Sequence, residues 1–315
     1  MVNLKNSYTS ADTVPRKLLL NPTVKDWRPI HIQWLPTNHC NLNCSFCSCS
    51  NRDRYLEMDP IIAKAVIWKF SSLGCSAVTI TGGGEPLCHP NLKEMMIQFK
   101  LAGIKIGLVT NGLLLNKLTS LDLSRLTWCR ISHSDERHLT ETYRSLLVSV
   151  ISRAPRVDWA FSYVLGENPN LDEIRRVVDF ANLHNFTHVR LVADILHPSV
   201  LFDPIRQALN GIDQRVIYQP RATPTPATRC VLGYIKPVVA PDFKMYLCCG
   251  VQYALDPPSQ DLPETLCMGS AKFLDDLYDP GSFRVFKTNC AKCYYHGYND
   301  LLLPITESIR HKEFL

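Results

Sequence analysis

Along this chain, short apolar runs alternate with stretches of helical periodicity. Residues 1–29 are polar, carry Pro15, Pro22 and Pro29, and read as an irregular lead-in. Residues 30–35 form a first strand around His31-Ile32-Gln33-Trp34-Leu35. Asp59-Pro60 reads as a helix start, with Asp as N-cap and Pro in the first helical position. Apolar positions 61, 62, 65, 66, 70 and 73 keep one face of that helix, and Gly74 ends it. The alternation continues with a strand at 77–80, a helix at 91–102 closed by Gly103, and a strand at 104–109. A helix around 114–126, a strand at 128–131, a helix around 138–152 and a strand at 157–165 follow. An amphipathic helix at 171–184 and a sixth strand at 188–193 complete the series. Strands alternating with helices predict a parallel α/β sheet with right-handed crossovers. In such sheets, sites lie at the C-terminal ends of the strands.

Near residue 220 the texture changes. Pro220, Pro224 and Pro226 read as a linker. A hairpin follows, with strands at 235–239 and 245–248 around a turn at Pro241-Asp242. The remainder is rich in loops and cysteines, with Pro257-Pro258 and Pro280-Gly281 as further breaks. The chain therefore divides into a lead-in (1–29), an α/β core (30–219) and a small C-terminal subdomain with a tail (220–315). A length of 315 residues accommodates about two domains. The sequence shows no internal repeat and no low-complexity tract.

The formal charge of +5 is spread out, and no Lys/Arg block marks a nucleic-acid tail, so a nucleic-acid partner is not expected. Leu18-Leu19-Leu20 is too short for a signal core and no run approaches a membrane span. Thirteen cysteines, an odd number without a secretion signal, predict thiolates in a reducing cytoplasm rather than a disulfide framework. Cys75, Cys88 and Cys129 lie in or beside apolar stretches and read as small buried hydrophobes.

The chemistry centres on Cys40-Asn41-Leu42-Asn43-Cys44-Ser45-Phe46-Cys47, directly after the first strand. Thiolates are soft ligands for iron–sulfur clusters and zinc. Three on one loop can hold three irons of a [4Fe–4S] cube and leave the fourth open; a structural zinc site takes four, usually in two pairs. Cys49 extends the loop but is surplus to a three-ligand set. After the second strand comes Thr81-Gly82-Gly83-Gly84-Glu85-Pro86, where glycines admit a close ligand and a glutamate can meet an ammonium group. Thr110-Asn111-Gly112 ends the third strand.

The C-x3-C-x2-C octet with Phe46 before its third cysteine resembles the signature of the radical S-adenosylmethionine (SAM) superfamily, and Gly83-Gly84-Glu85 resembles that family's GGE motif. The resemblance implies a partial (β/α)6 TIM-like barrel, with Cys40, Cys44 and Cys47 on a [4Fe–4S] cluster. It implies that SAM chelates the open iron and is cleaved reductively to a 5′-deoxyadenosyl radical. Phe46, Gly83, Gly84, Glu85 and Asn111 would then contact SAM. The segment Ser132-His133-Ser134-Asp135 with Arg144 is similar to one in the anaerobic sulfatase-maturating group, implying that Ser132 and Arg144 reach the SAM carboxylate and ribose region. The departure is His133-Ser134-Asp135 in place of that group's Leu-Asp-Gly.

Cys290-Ala291-Lys292-Cys293 is a C-x2-C pair, a strong local metal signal. With Cys230 before the hairpin and Cys248 at its end, it makes four potential ligands; Cys249 competes with Cys248, and Cys267 is a spare. This spacing resembles the Twitch subdomain, the shortened relative of SPASM. The implied cofactor is one auxiliary [4Fe–4S] cluster; four thiolates also suit a zinc ribbon. Pro241-Asp242-Phe243 departs from the family's frequent Pro-Asp-Gly turn. The implied activity is hydrogen abstraction followed by oxidation, as in Twitch dehydrogenases of the deoxy-scyllo-inosamine type. Peptide crosslinking is the alternative, and a zinc-stabilised binding protein on a degenerate barrel is a reading from another class. The substrate would be a small molecule or a peptide, with flavodoxin or ferredoxin as electron donor and no membrane partner. His133, Asp135, Glu167 and Asp194 are strand-end candidates for a general base, each also readable as an ordinary loop residue.

Overall fold

The computed structural model describes residues 27–195, 199–220, 224–257 and 261–306. The lead-in up to residue 26, the tail beyond 306, part of the 220–226 linker and Pro258 lie outside the described residues. The core runs β1 (His31–Trp34), α1 (Pro60–Ser72), β2 (Ala77–Ile80), α2 (Leu92–Leu101), β3 (Lys105–Thr110) and the one-turn α3 (Ser120–Leu123). It continues with β4 (Leu126–Ser134), α4 (Glu141–Ser152), β5 (Asp158–Leu165), α5 (Leu171–Leu183), β6 (His188–Ala193), α6 (Phe202–Ala208) and β7 (Val216–Gln219). The C-terminal part contains β8 (Thr225–Cys230), α7 (Leu232–Ile235), β9 (Val238–Val239), β10 (Lys244–Tyr246) and β11 (Cys267–Ser270). It ends with α8 (Leu274–Leu277), β12 (Phe286–Cys293) and α9 (His296–Thr306).

Strands β1 to β7 are parallel neighbours in chain order, as the alternation predicts. β7 is not expected from the pattern; its four residues, Val216-Ile217-Tyr218-Gln219, are too few to show a period. The helix expected around 114–126 breaks into a 3₁₀ turn at 115–117 and α3. The break is a new start signal: Thr119 and Asp122 form a reciprocal capping box. The helix expected from 138 begins at Glu141, because the Thr140 side chain accepts from the Tyr143 N–H as N-cap. Asp59 caps α1 through bonds from the N–H groups of Ile61 (2.8 Å) and Ile62 (3.0 Å).

The hairpin is not a separate layer. β9 pairs parallel with β1, and β10 and β11 continue the same sheet antiparallel. A ten-stranded sheet thus joins the C-terminal region to the barrel edge that carries the cysteine loop. β8 and β12 form a second, two-stranded antiparallel sheet. At the hairpin turn Phe243 takes a left-handed φ of +68° where glycine would be strain-free. Its ring is buried against Trp34, with centroids 6.4 Å apart. Cys75 and Cys129 are buried as expected, whereas Cys88 is only half-buried; it sits on the loop after β2, near enough to Cys40 to feel its charge. Among the described residues no helix is long and apolar enough to cross a membrane.

Candidate active site

A cavity of about 300 Å³ opens at the C-terminal ends of β1 to β6. Cys40, Cys44, Phe46 and Cys47 line it from the loop after β1, and Gly82 to Glu85 from the loop after β2. Asn111 follows β3, and Ser132, Ser134 and Arg137 follow from the end of β4. Ser162, Val164, Arg190, Val192 and Asp194 form the wall on β5 and β6.

The glycine turn is bonded onto the cysteine loop. The N–H of Gly84 donates to the Thr37 carbonyl (3.0 Å) and that of Glu85 to the His39 carbonyl (2.9 Å). A Cβ on Gly84 would sit 2.0 Å from the His39 oxygen, and one on Gly83 2.0 Å from Asn38 Oδ1. At Gly84, where the close atoms are backbone, packing alone requires glycine, in addition to any ligand role. Glu85 is buried, and its carboxylate accepts from Leu87 N–H (3.1 Å), the Thr110 hydroxyl (2.7 Å) and Asn111 N–H (2.7 Å). It clamps the ends of β2 and β3 together; burial pushes its pKa up against these bonds. Asn111 reaches back to the cysteine loop, donating to Asn41 Oδ1 at 2.7 Å.

The two arginines of this region separate. Arg144 is absent from the cavity lining; its guanidinium lies 5.8 Å from the centroid of the Phe180 ring in the helical layer. Arg137 lines the cavity instead, donating to the carbonyls of Ser132 (2.8 Å) and Asn111 (3.0 Å) and stacking over Tyr143. Sequence reasoning passes over Arg137. Its signal is position, directly after a polar strand end, rather than a motif. His133 lines the cavity with its ring bonded to Glu173 (3.1 Å), and Asp135 caps the loop after β5, so two general-base candidates are engaged by protein partners. Asp194 lines the cavity, and Glu167 does not.

The donor set fits a cube held by three thiolates with one position left for another ligand. A second observation agrees: Ser134 Oγ and Arg137 Nη2, both on cavity-lining residues, are buried without a protein partner. Such atoms are costly unless a ligand or water satisfies them. Cys49 sits beside Cys47, and the hydrogen bond between them, with the charge of Arg52, draws the Cys49 thiol down to about 6 against the effect of burial.

Burial raises the thiol pKa of Cys230, Cys248, Cys290 and Cys293, and each of the four interacts electrostatically with at least one other. Asn299 donates to Cys230 Sγ at 3.4 Å. Cys249 instead contacts the Tyr295 hydroxyl at 2.9 Å, and Cys267 lies on β11 beside the Gly269 carbonyl. Among the described residues no three His, Cys, Asp or Glu side chains are gathered for a single metal ion.

A parallel barrel with three cysteines after its first strand and a glycine–glutamate turn after its second defines the class. The Radical SAM superfamily profile matches residues 34–134, the part of the core that carries both motifs. Over 108 residues it is 34% identical to GTP 3′,8-cyclase of Staphylococcus saprophyticus, covering 30% of this chain and 31% of that protein. Over 103 residues it is 31% identical to the PqqA peptide cyclase of Gluconobacter oxydans, covering 31% of this chain and 28% of that protein. The chain thus spans under a third of the length of these curated relatives. Among solved structures, Streptococcus suis SuiB bound to its precursor peptide SuiA superposes with TM-score 0.59 at 14% identity, over 85% of this chain and 69% of that one. The structure of anSMEcpe with AdoMet and a Kp18Cys peptide superposes with TM-score 0.56 at 14% identity, over 91% of this chain and 86% of that one. These two share the fold.

Proposed function

We propose that the protein is a radical SAM enzyme in which Cys40, Cys44 and Cys47 hold a [4Fe–4S] cluster. Gly83, Gly84, Glu85, Asn111, Ser132, Phe46 and Arg137 would position SAM. The observation that carries this reading is convergence: loops after β1 to β4 bring these residues onto one cavity. When bound, the cluster and SAM would supply hydrogen-abstracting radical chemistry. This chain's part is to orient and to exclude water. The wall of Ser162, Val164, Arg190, Val192 and Asp194, across from the SAM residues, is where a substrate would lie. Cys230, Cys248, Cys290 and Cys293 would hold an auxiliary [4Fe–4S] cluster. Four thiolates leave no open iron, which suits electron transfer and favours an oxidation of the substrate, with a flavodoxin- or ferredoxin-type donor for the first cluster.

Peptide modification is the second reading. It is supported by the similarity to a peptide cyclase over the core. The test common to both is anoxic reconstitution with iron and sulfide, followed by SAM and dithionite. Formation of 5′-deoxyadenosine by the parent, lost in a C40A/C44A/C47A variant, supports the proposal. Its absence from a fully loaded parent overturns it.

A further inference from the structure

Arg52 lies five residues beyond Cys47 and is 7% exposed. Its Nη2 donates to the Gln252 amide oxygen, a neutral partner, while Nε and Nη1 are buried with no partner. Among the described residues no carboxylate forms an ion pair with it. Nη1 points to the glycine turn: a Cβ on Gly83 would lie 2.7 Å from it. Its backbone N–H donates to the Cys49 carbonyl at 3.3 Å, so the residue closes the turn that ends the cysteine loop. A buried guanidinium keeps its charge and does not shed a proton to escape burial. An unpaired buried charge costs about as much as a small domain's net stability can bear. Some opposite charge therefore belongs beside Arg52.

A [4Fe–4S] cube with three thiolate ligands is net anionic, and more so when reduced. We propose that Arg52 is the buried counter-charge of the Cys40–Cys47 cluster, and a positioning residue that ties its loop to the hairpin through Gln252. The inference rests on the cluster assignment made above. Gln252 comes three residues after Cys249, so the same guanidinium bridges the two cysteine regions. Two consequences follow from the sign of the charge. A cation near the cluster favours the reduced state, which is one electron more negative. In protein without a cluster the same cation is a liability, since removing an uncompensated buried charge is neutral or stabilising.

The experiment uses the full chain with R52M, R52K, R52Q and C49S, each as apoprotein and as reconstituted protein. In reconstituted R52M the equilibrium constant for reducing the SAM-site cluster, read by EPR-monitored titration, is expected to fall at least about threefold, with R52K near the parent. R52Q apoprotein, which keeps a donor toward Gln252, is expected to melt no lower than the parent apoprotein, while loaded R52M yields iron to a chelator several-fold faster. An unchanged reduction equilibrium in a fully loaded R52M overturns the proposal. So does an R52Q apoprotein less stable than the parent, because the charge of Arg52 would then be compensated within the protein. If C49S alone reproduces the R52M shifts, the counter-ion is the Cys49 thiolate and the proposal fails. Should R52M not accumulate, R52Q, which keeps a donor toward Gln252 without the charge, answers the same questions. A parent that binds no cluster defeats the cluster assignment itself, an outcome visible separately in its iron content.

Discussion

Glu136 accepts the backbone N–H of Ser45 at 3.2 Å, and the Ser45 hydroxyl as well, so the loop after β4 grips the middle of the cysteine octet. The flanking residues pull in other directions. Asp135 accepts from Tyr163, Gly166 and Asn170 at the end of β5, and Arg137 donates to Asn111 and Ser132. Three consecutive charged residues thereby fix the relative placement of the loops after β1, β3, β4 and β5. E136A should leave the fold intact but loosen the octet, with a loss of at most about 1 kcal/mol for an exposed charge-assisted bond. The expected result is incomplete iron loading, restored largely by E136Q. Full and stable loading of E136A would remove Glu136 from this role.

The separation of the two arginines gives a second test. Arg137 reaches the cavity with a buried, unpartnered Nη2, and Arg144 packs over Phe180 outside it. Losing a charge-assisted contact costs about 1.5–3 kcal/mol, so R137A should weaken SAM binding by tenfold or more. R144A should weaken it much less. Calorimetry on reconstituted protein decides, and the reverse order would restore the SAM role that the family resemblance implies for Arg144.

Much of this architecture is legible in the sequence. Asp59-Pro60, Gly74 and Gly103 carry local rules that the fold obeys, and a cysteine octet after one strand with a glycine turn after the next needs no tertiary information. Arg137, Glu136 and Arg52 are not legible in this way, because their roles depend on which loops meet across the barrel mouth. β7 and the parallel docking of β9 onto β1 escape for a related reason. Strands of four and two residues have no period to read, and long-range pairing decides them.

Phe243 offers a stability test with opposing terms. Its left-handed backbone costs about 1–2 kcal/mol, which glycine would relieve. Loss of a buried phenylalanine costs about 3–5 kcal/mol. F243G should therefore be less stable by about 2 kcal/mol, measured by denaturant unfolding, while F243L should fall less far. A more stable F243G would show that the ring contributes little to the core at Trp34.

The His133–Glu173 pair sets an acid limit. Burial alone would raise the Glu173 pKa, but the bonds from His133 and the Leu139 N–H outweigh it and hold the carboxyl near 2. Burial pushes His133 down, so it stays neutral while donating to Glu173. Both shifts are depressions. The unfolded chain takes up these protons first, His below about 6.5 and Glu below about 4.3. Stability should be fully present above pH 7 and decline toward pH 2. In E173Q the decline should be shallower between pH 4.5 and 2, and an equally steep profile there would show that Glu173 is not responsible.

The auxiliary site allows the most direct separation of ligands. Cys290 and Cys293 sit on β12 opposite Ala227 and Thr225 of β8, with register shifts between them, while Cys230 ends β8 and Cys248 follows β10. Asn299 from α9 donates to Cys230 Sγ and accepts the Val231 N–H at 3.1 Å, so one helix helps to position the first thiol. Loaded parent protein should carry about eight irons, four per cube. C290A/C293A should retain about half of them and keep the SAM-site EPR signal. It should also loosen residues 224–306 toward proteolysis, because metal binding and folding are coupled in loop-rich units. C267A should load fully, since its sulfur lies on β11 beside the Gly269 carbonyl. C249A should load fully too, its sulfur being engaged by the Tyr295 hydroxyl. A C249A protein with half the iron would exchange Cys248 for Cys249 in the ligand set, and a C290A/C293A protein with all of it would leave the subdomain without the proposed cluster.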